Sequence, residues 1–97
     1  MNRHPIRPVT EDEIETYARD GIVCLRQVFD PEWVAFLREQ VAADMAAPSE
    51  MHKNVDAKDG TGHFFYDTFV SHHLPGFMRA VTDGPGAEAA GRVMGAD

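Results

Sequence analysis

The stretch Asp30-Pro31-Glu32 limits what this chain can fold into more than any other, because it combines several signals for the start of a helix. Asp30 is a good N-cap residue, Pro31 suits the first helical position, and the charge of Glu32 is favourable in the first turn. Phe29 and Val34 have the spacing of a hydrophobic staple. The sequence therefore predicts a helix that begins at Pro31 and ends before Pro48, with an apolar face formed by Trp33, Val34, Phe36, Leu37, Val41 and Met45.

A second helix start lies upstream, where Thr10-Glu11-Asp12-Glu13 has the pattern of a capping box. The Thr10 hydroxyl accepts a hydrogen bond from a free amide of the first turn, and Glu13 accepts one from the Thr10 amide. Gly21 is suited to end this helix, because glycine adopts the left-handed conformation without steric cost. Residues 1–9 contain two prolines and lack the apolar run of a secretory signal, so we expect a flexible lead-in there.

Residues 22–28 follow Gly21 directly and are rich in β-branched and other apolar side chains. The run is too short for an independent helix, and it predicts a mostly buried β-strand. Cys24 lies within this run and has no histidine nearby in sequence. We therefore interpret Cys24 as a buried, unreactive thiol rather than a nucleophile.

The second half of the chain predicts a long loop, an aromatic stretch and two short helices. Residues 48–62 lose the apolar period and become polar, charged and rich in glycine, which is typical of a functional or mobile loop. Apolar residues at helical spacing then predict a third and a fourth helix, around Leu74, Phe77, Met78 and Val81 and around Ala87, Ala90, Val93 and Met94. The whole pattern predicts an α+β fold, mostly helical, with one or two strands.

Length, charge and cysteine content narrow the class of protein. The chain has 97 residues, enough for one domain or part of one. Its net charge of −7 repels phosphate backbones and anionic lipids, so we expect no nucleic acid and no membrane as partners. No apolar run approaches the ~18 residues of a membrane span. The single cysteine cannot form an internal disulfide, which favours a reducing, cytoplasmic location.

Several motif-like stretches do not meet the spacing rules of the sites they suggest. Residues 54–60 place Lys58 where a calcium loop needs an oxygen ligand. Residues 84–89 match a relaxed dinucleotide fingerprint, yet a helix rather than a strand is predicted before them. Exposed or capping roles, rather than metal binding, fit the spacing of His52, His63, His72 and His73. We therefore predict no catalytic, metal or cofactor-binding residue in this chain alone.

The stretch His63-Phe64-Phe65-Tyr66-Asp67 has two interpretations. Its aromatic side chains suit core packing, which would return the chain to the interior after the loop. They also alternate with titratable groups after a flexible segment, as at the rim of an apolar pocket that has a few polar groups. His63, Phe64, Phe65, Tyr66 and Asp67 are therefore the candidate rim of a substrate pocket.

The order of these elements resembles the N-terminal portion of the phytanoyl-CoA dioxygenase family. A capped acidic helix ends in Arg19-Asp20-Gly21 and is followed by Ile22-Val23-Cys24-Leu25-Arg26. Phe29-Asp30-Pro31-Glu32 then opens the second helix, which carries Leu37-Arg38. Later stretches are similar to what bacterial members carry before their catalytic strands: His63-Phe64-Phe65-Tyr66-Asp67, Pro75-Gly76-Phe77 and Arg92-Val93-Met94-Gly95. The similarity extends over residues 10–97, nearly the whole chain.

The resemblance implies a double-stranded β-helix, or jelly-roll, oxygenase. Members of that family bind Fe(II) through an HxD motif and a distant histidine, and they use 2-oxoglutarate held by a downstream basic residue. This chain contains no HxD sequence, so no iron or 2-oxoglutarate ligand is carried over to any of its residues. Residues 10–97 are thus expected to form an incomplete domain that is inactive alone, with the catalytic strands encoded after Asp97.

Two hypotheses about function remain open from the sequence. In the first, a C-terminal jelly-roll portion completes a dioxygenase that hydroxylates a small organic substrate. In the second, the chain is a stand-alone helical interaction module without catalytic activity. A homo-oligomeric partner then covers the apolar faces that a lone strand and one-sided helices leave open.

Overall fold

This computed structural model describes residues 1–96. They contain five α-helices and one two-stranded antiparallel sheet. The predicted α+β class is confirmed. In chain order the elements are α1 (Glu11–Asp20), α2 (Pro31–Ala46), β1 (Lys53–Asp56), β2 (His63–Tyr66), α3 (Val70–His73), α4 (Pro75–Asp83) and α5 (Gly86–Met94). The β-hairpin thus separates two helical stretches in sequence.

Helix α1 begins and ends where the sequence predicts. The capping box is complete, because the Thr10 side chain accepts from the Glu13 amide and the Glu13 side chain accepts from the Thr10 amide. Gly21 adopts the left-handed conformation, with φ of 75°, and its amide donates to the Tyr17 carbonyl at 2.8 Å. These local bonds satisfy backbone groups that a helix end otherwise leaves free.

Helix α2 is also confirmed. The Asp30 carboxylate accepts a hydrogen bond from the Trp33 amide at 2.9 Å, and Pro31 occupies the first turn. The helix ends at Ala46, two residues before Pro48. Because its start combines a cap and a proline, its boundary is fixed by local chemistry rather than by packing.

The core of the molecule is centred on Trp33. Its side chain is 2% exposed, and its indole N–H donates to the Asn2 carbonyl at 2.6 Å. The rings of Phe29 and Phe36 meet it edge to face, with centroids 6.5 and 5.7 Å away. The guanidinium of Arg79, on α4, lies 5.9 Å from its ring centroid. One side chain therefore joins α2 to the N-terminal segment and to α4.

Helix α4 is the central helix of the helical body, which consists of α1 to α5. It packs against α2, α3 and α5, and α5 in turn packs against α1. Gly76 allows α4 to approach α2 closely, because a Cβ atom there would lie 2.1 Å from the Gln40 side-chain oxygen. Both of the later predicted helices are confirmed as α4 and α5, whereas the short α3 was not predicted.

The segment 1–9, predicted as a flexible lead-in, is hydrogen-bonded to the helical body. The Asn2 amide donates to the Asp30 carboxylate at 2.7 Å, and the Asn2 side chain donates to the Val28 carbonyl at 2.8 Å. Arg7 forms two hydrogen bonds with the Glu13 carboxylate, each of 2.7 Å. These contacts come from single polar side chains, which leave no periodic signal in the sequence.

The predicted strand at residues 22–28 is wrong. The segment has no regular secondary structure and forms no ladder with another strand in residues 1–96, and Ile22 is 74% exposed. Gln27 adopts a left-handed conformation, with φ of 59°, which turns the chain before the buried Val28. Cys24 is exposed, so its predicted burial is also wrong. β-branched composition favours extended backbone, but a strand needs a neighbour to pair with.

The predicted loop at residues 48–62 contains β1, which is a further correction. β1 pairs antiparallel with β2, and Val55 lies opposite Phe64. The Ala57 amide donates to the Gly62 carbonyl at 2.8 Å, which closes the connection between the strands. β1 was not predicted, because only one of its four residues, Val55, favours strands.

We expect Trp33→Ala to lower the free energy of unfolding by about 3–5 kcal/mol, because it leaves a cavity at the centre of the core. Val81→Ala, at an exposed position on α4, is the control and should change it by less than about 0.5 kcal/mol. Urea unfolding followed by far-UV circular dichroism measures both. Equal effects of the two substitutions would contradict the central position of Trp33.

The ion pair between Arg7 and Glu13 makes stability depend on pH. The hydrogen bond from Arg7 is the main cause that lowers the pKa of Glu13 to about 2. A carboxyl group with a lowered folded pKa stabilises the fold above its unfolded pKa, and this contribution is lost as pH falls through the folded value. We expect the loss between pH 4.5 and about 2. Glu13→Gln should remove it in urea unfolding at several pH values, whereas the control Glu11→Gln should retain it.

Candidate functional site

The side chains of residues 63–66 lie on the two faces of the β-hairpin, and Asp67 follows the hairpin. Side chains of a strand alternate between faces, so Phe64 and Tyr66 lie on one face with Val55, which is opposite Phe64. Phe65 lies on the other face. Asp67 follows β2 and turns toward the end of α2, where it contacts Ser49.

The face that carries Val55, Phe64 and Tyr66, here called the aromatic face, is open to solvent. Val55 is 57% exposed and Phe64 is 60% exposed. The rings of Phe64 and Tyr66 contact each other, with centroids 5.8 Å apart. The core interpretation is therefore wrong for these two aromatic residues. Large adjacent apolar side chains that water surrounds are typical of a surface that another molecule or chain segment covers.

The opposite face of the hairpin has polar contacts. The Phe65 ring stacks on the His52 ring, with centroids 6.2 Å apart and planes 28° apart. His63 lies opposite Asp56 in the register, and its Nδ1 atom contacts the Asp56 carboxylate. Phe65 is half-buried, so this face is better covered than the aromatic face.

At the base of the hairpin, the Asp67 carboxylate receives several hydrogen bonds. The Ser49 amide donates to it at 2.9 Å, the Ser49 hydroxyl also donates to it, and the Thr68 amide donates at 2.8 Å. Ser49 precedes β1 and Asp67 follows β2, so these bonds join the two ends of the hairpin. Asp44, on the last turns of α2, is buried nearby, with its side chain 6% exposed and its Oδ1 atom 3.9 Å from His73 Nε2.

The two carboxyl groups have opposite pKa shifts. Burial is the largest cause that raises the pKa of Asp44, and the adjacent Asp67 raises it further through a hydrogen bond and charge repulsion. Burial also tends to raise the pKa of Asp67, but hydrogen bonds from Ser49, Thr68 and Asp44 outweigh burial and lower it to about 2. Asp67 therefore ionises more readily than Asp44.

Asp44 and Ser49, which lie with Asp67 at the base of the hairpin, were not predicted as site residues. A signal existed for Asp44, which lies seven residues after Leu37 and three after Val41, on the predicted apolar face of α2. A carboxylate at a core-facing position usually has a specific partner. Ser49 carried no such signal, because its partner Asp67 is 18 residues away in sequence.

Open apolar grooves surround Phe29. One, of about 850 Å³, lies between residues 6 and 27 and the first turns of α2, with Val34 and Arg38 among its lining residues. Another, of about 660 Å³, is lined by Phe29, Leu37, Phe69 and residues of α4 and α5. Neither groove is lined by residues 63–67, so the predicted role of that stretch as a substrate-pocket rim stays a prediction.

The residues present do not fit the iron site that the resemblance implies. Within residues 1–96, no three His, Cys, Asp or Glu side chains are grouped so that they hold a metal ion. A facial triad needs three protein ligands, whereas the histidine–carboxylate contacts within residues 1–96 are pairs, of His4 with Glu88, His63 with Asp56 and His73 with Asp44. No step of an iron reaction is therefore assigned to these side chains.

The other motif-like stretches have structural roles. Asp59 lies in the connection between β1 and β2, and its carboxylate accepts from the Thr61 amide at 3.0 Å and from the Thr61 hydroxyl at 2.6 Å. Gly84 ends α4, and the turn that follows leads into α5. A helix therefore precedes the dinucleotide-like stretch, as the sequence predicts.

Comparison of the chain with protein-family models, with curated proteins and with solved structures finds no match. Fold and site therefore define an α+β chain with a helical body, an exposed hairpin face and one buried carboxyl group, Asp44. No helix within residues 1–96 has the length and apolar character needed to cross a lipid bilayer.

Substitutions on the two faces of β2 test their different exposure. We expect Phe64→Thr to change the free energy of unfolding by less than about 0.5 kcal/mol and to weaken binding of a hydrophobic dye. Phe65→Thr should lower the free energy of unfolding by about 1 kcal/mol, because it removes the stack on His52. Threonine keeps strand propensity in both variants. Equal destabilisation by both would contradict the assignment of faces.

Proposed function

We propose that residues 10–97 are the non-catalytic N-terminal part of an Fe(II)- and 2-oxoglutarate-dependent oxygenase of the phytanoyl-CoA dioxygenase type. Its catalytic residues then belong to a jelly-roll portion encoded after Asp97, since this chain contains no HxD sequence. The observation that carries the proposal is the apolar segment 22–25, whose backbone groups have no backbone partner within residues 1–96, beside the apolar grooves around Phe29.

Residues 22–25 have the apolar, partly β-branched composition of a strand, and their backbone is available for pairing. No backbone hydrogen bond joins residues 22–25 to another segment of the described chain. Free N–H and C=O groups along an extended apolar segment form an edge with which a further strand pairs. A jelly-roll sheet supplies such a strand, so an unpaired segment at this position supports a larger domain.

The surface of α2 supports the same conclusion. Apolar residues lie on more than one side of this helix, since Trp33 is buried whereas Val34, Val41 and Met45 are exposed. A helix with apolar residues on several sides is typical of a buried element. In the proposed oxygenase, α2 is a helix of the layer that supports the outside of the jelly roll.

The aromatic face has a separate role in this proposal. Phe64 and Tyr66 are aromatic, exposed and adjacent, and Lys53 lies opposite Tyr66 in the hairpin. Such a surface suits contact with the apolar part of a small organic substrate. In the proposed enzyme, the hairpin covers the substrate entrance and the jelly roll supplies the iron and 2-oxoglutarate sites.

The nucleotide sequence after the Asp97 codon tests the proposal first. We expect the reading frame to continue into a strand-rich stretch that contains HxD. The purified product of the whole frame should retain iron and form succinate from 2-oxoglutarate, and its HxD→AxA variant is the control that should form none. A frame that ends at Asp97, or a longer product that binds neither iron nor 2-oxoglutarate, would contradict the proposal.

The aromatic face also favours a second candidate function, that of an interaction module that forms dimers. Val55 and Phe64 are exposed next to each other, and both edges of the two-stranded hairpin are free within residues 1–96. In this case light scattering after size exclusion should give a dimer for the 97-residue chain and a monomer for Phe64→Thr. Val81→Thr, on α4, is the control, and a monomeric wild-type chain excludes the module.

A further inference from the structure

We propose that residues 1–9 form a detachable strap that holds Gln27 in its left-handed conformation and keeps residues 22–28 from becoming one continuous strand. Residues 1–9 are here called the strap. When the strap detaches, Gln27 returns to the extended conformation, and the carbonyl groups of Arg26 and Val28 become free to bind an added strand. This switch lies in the helical body and does not depend on the proposed oxygenase activity.

Gln27 is the point at which the backbone departs from what the local sequence favours. Residues 22–28 have the apolar, partly β-branched composition of a strand, yet Gln27 has φ of 59°. A residue other than glycine incurs a steric cost in this region, because its Cβ atom comes too close to the backbone. The Gln27 side chain is exposed, so burial of that side chain does not offset the cost. Contacts of the neighbouring residues must therefore hold the conformation.

The strap binds carbonyl groups on both sides of the left-handed residue. The Arg7 guanidinium donates from Nε to the Arg26 carbonyl at 2.9 Å. The Val28 carbonyl accepts two hydrogen bonds, from the Ile6 amide at 3.2 Å and from the Asn2 side chain at 2.8 Å. Donors from one segment therefore fix the backbone immediately before and after this residue.

The strap is itself anchored at two places on the helical body. The Asn2 amide donates to the Asp30 carboxylate at 2.7 Å, and the Asn2 side-chain oxygen accepts from the Asp30 amide at 2.9 Å. The Asn2 carbonyl also accepts from the Trp33 indole at 2.6 Å. At the other end of the strap, Arg7 forms a bidentate pair with Glu13 on α1, with both bonds at 2.7 Å. The strap thus connects α1 to the start of α2 across the segment that joins them.

An added strand needs the carbonyl groups that the strap occupies. In an extended strand, the backbone groups of residues two apart point to the same edge, so those of Cys24, Arg26 and Val28 share one edge. The backbone groups of Cys24 have no backbone partner within residues 1–96. The strap and an added strand therefore compete for the same edge, and in this structure the strap holds the part of it nearest α2.

Hydrogen exchange of the Ile6 amide measures detachment of the strap, because this amide donates to the Val28 carbonyl. Gln27→Gly removes the steric cost of the left-handed conformation, so we expect Ile6 to exchange about fivefold more slowly in the 97-residue chain. Gln27→Val introduces a β-branched side chain that this conformation disfavours, and it should make the exchange about tenfold faster.

Phe69→Gly is the matched control for the exchange experiment. Phe69 is also left-handed, with φ of 58°, but its backbone makes no hydrogen bond with the strap in the described chain. It should therefore leave exchange of the Ile6 amide unchanged. Equal slowing by Gln27→Gly and Phe69→Gly would mean that Ile6 exchanges only by global unfolding, and this would overturn the proposal. Unchanged Ile6 exchange in both Gln27 variants would overturn it too.

NMR of Gln27 tests whether the strap holds the left-handed conformation. This conformation brings the amide and α protons of one residue close together, so it gives a strong intraresidue cross-peak. The double variant Asn2→Ala, Arg7→Ala lacks the side-chain donors to the two carbonyls, so we expect the cross-peak to weaken as Gln27 becomes extended. Arg3→Ala with His4→Ala removes only exposed ion pairs of the strap and should keep the cross-peak strong.

A strong cross-peak of Gln27 in the folded double variant would overturn the role of the strap. If the double variant does not fold, Arg7→Ala is measured alone. The cross-peak should then weaken and the Ile6 amide should exchange faster, because the Arg26 carbonyl has lost its donor. An unchanged Gln27 cross-peak in Arg7→Ala would likewise contradict the proposal.

Discussion

Burial of the Trp33 side chain, whose indole N–H donates to the Asn2 carbonyl, is the constraint on which the packing of the helical body depends. A chain of this length buries few side chains, so one large residue supplies much of the core. Asp30 caps the helix that carries Trp33 and also binds Asn2, so the helix start and the core contact stabilise each other. Arg79 then brings α4 onto the same ring.

Features outside this centre share one property, which is that their apolar surface is not covered. Residues 22–25 have no partner strand within residues 1–96, and the hairpin exposes the aromatic face. In each case local sequence sets the backbone conformation, but burial requires atoms that residues 1–96 do not supply. Both proposed functions explain the uncovered apolar surface by something that buries it. In the oxygenase it is the jelly-roll portion, and in the interaction module it is a second copy of the chain.

The sequence predicted the features that depend on neighbouring residues. The boundaries of α1 and α2 follow from caps and prolines within a few residues, and Gly21 ends α1 in the left-handed conformation. Strand pairing and burial depend on distant residues, so the predicted strand at 22–28, the burial of Cys24 and the core role of Phe64 were wrong. Of the carboxyl pair, only the position of Asp44 on an apolar face was visible in the sequence.

In the proposed oxygenase, residues 22–25 are a strand edge that pairs with a strand of the jelly-roll portion. Amide hydrogen exchange of these residues tests it directly, in the 97-residue chain and in the product of the longer reading frame. We expect exchange near intrinsic rates in the 97-residue chain, because these amides have no backbone partner within residues 1–96, and strong protection in the longer product. Protection in the short chain, or its absence in the longer one, would contradict the account.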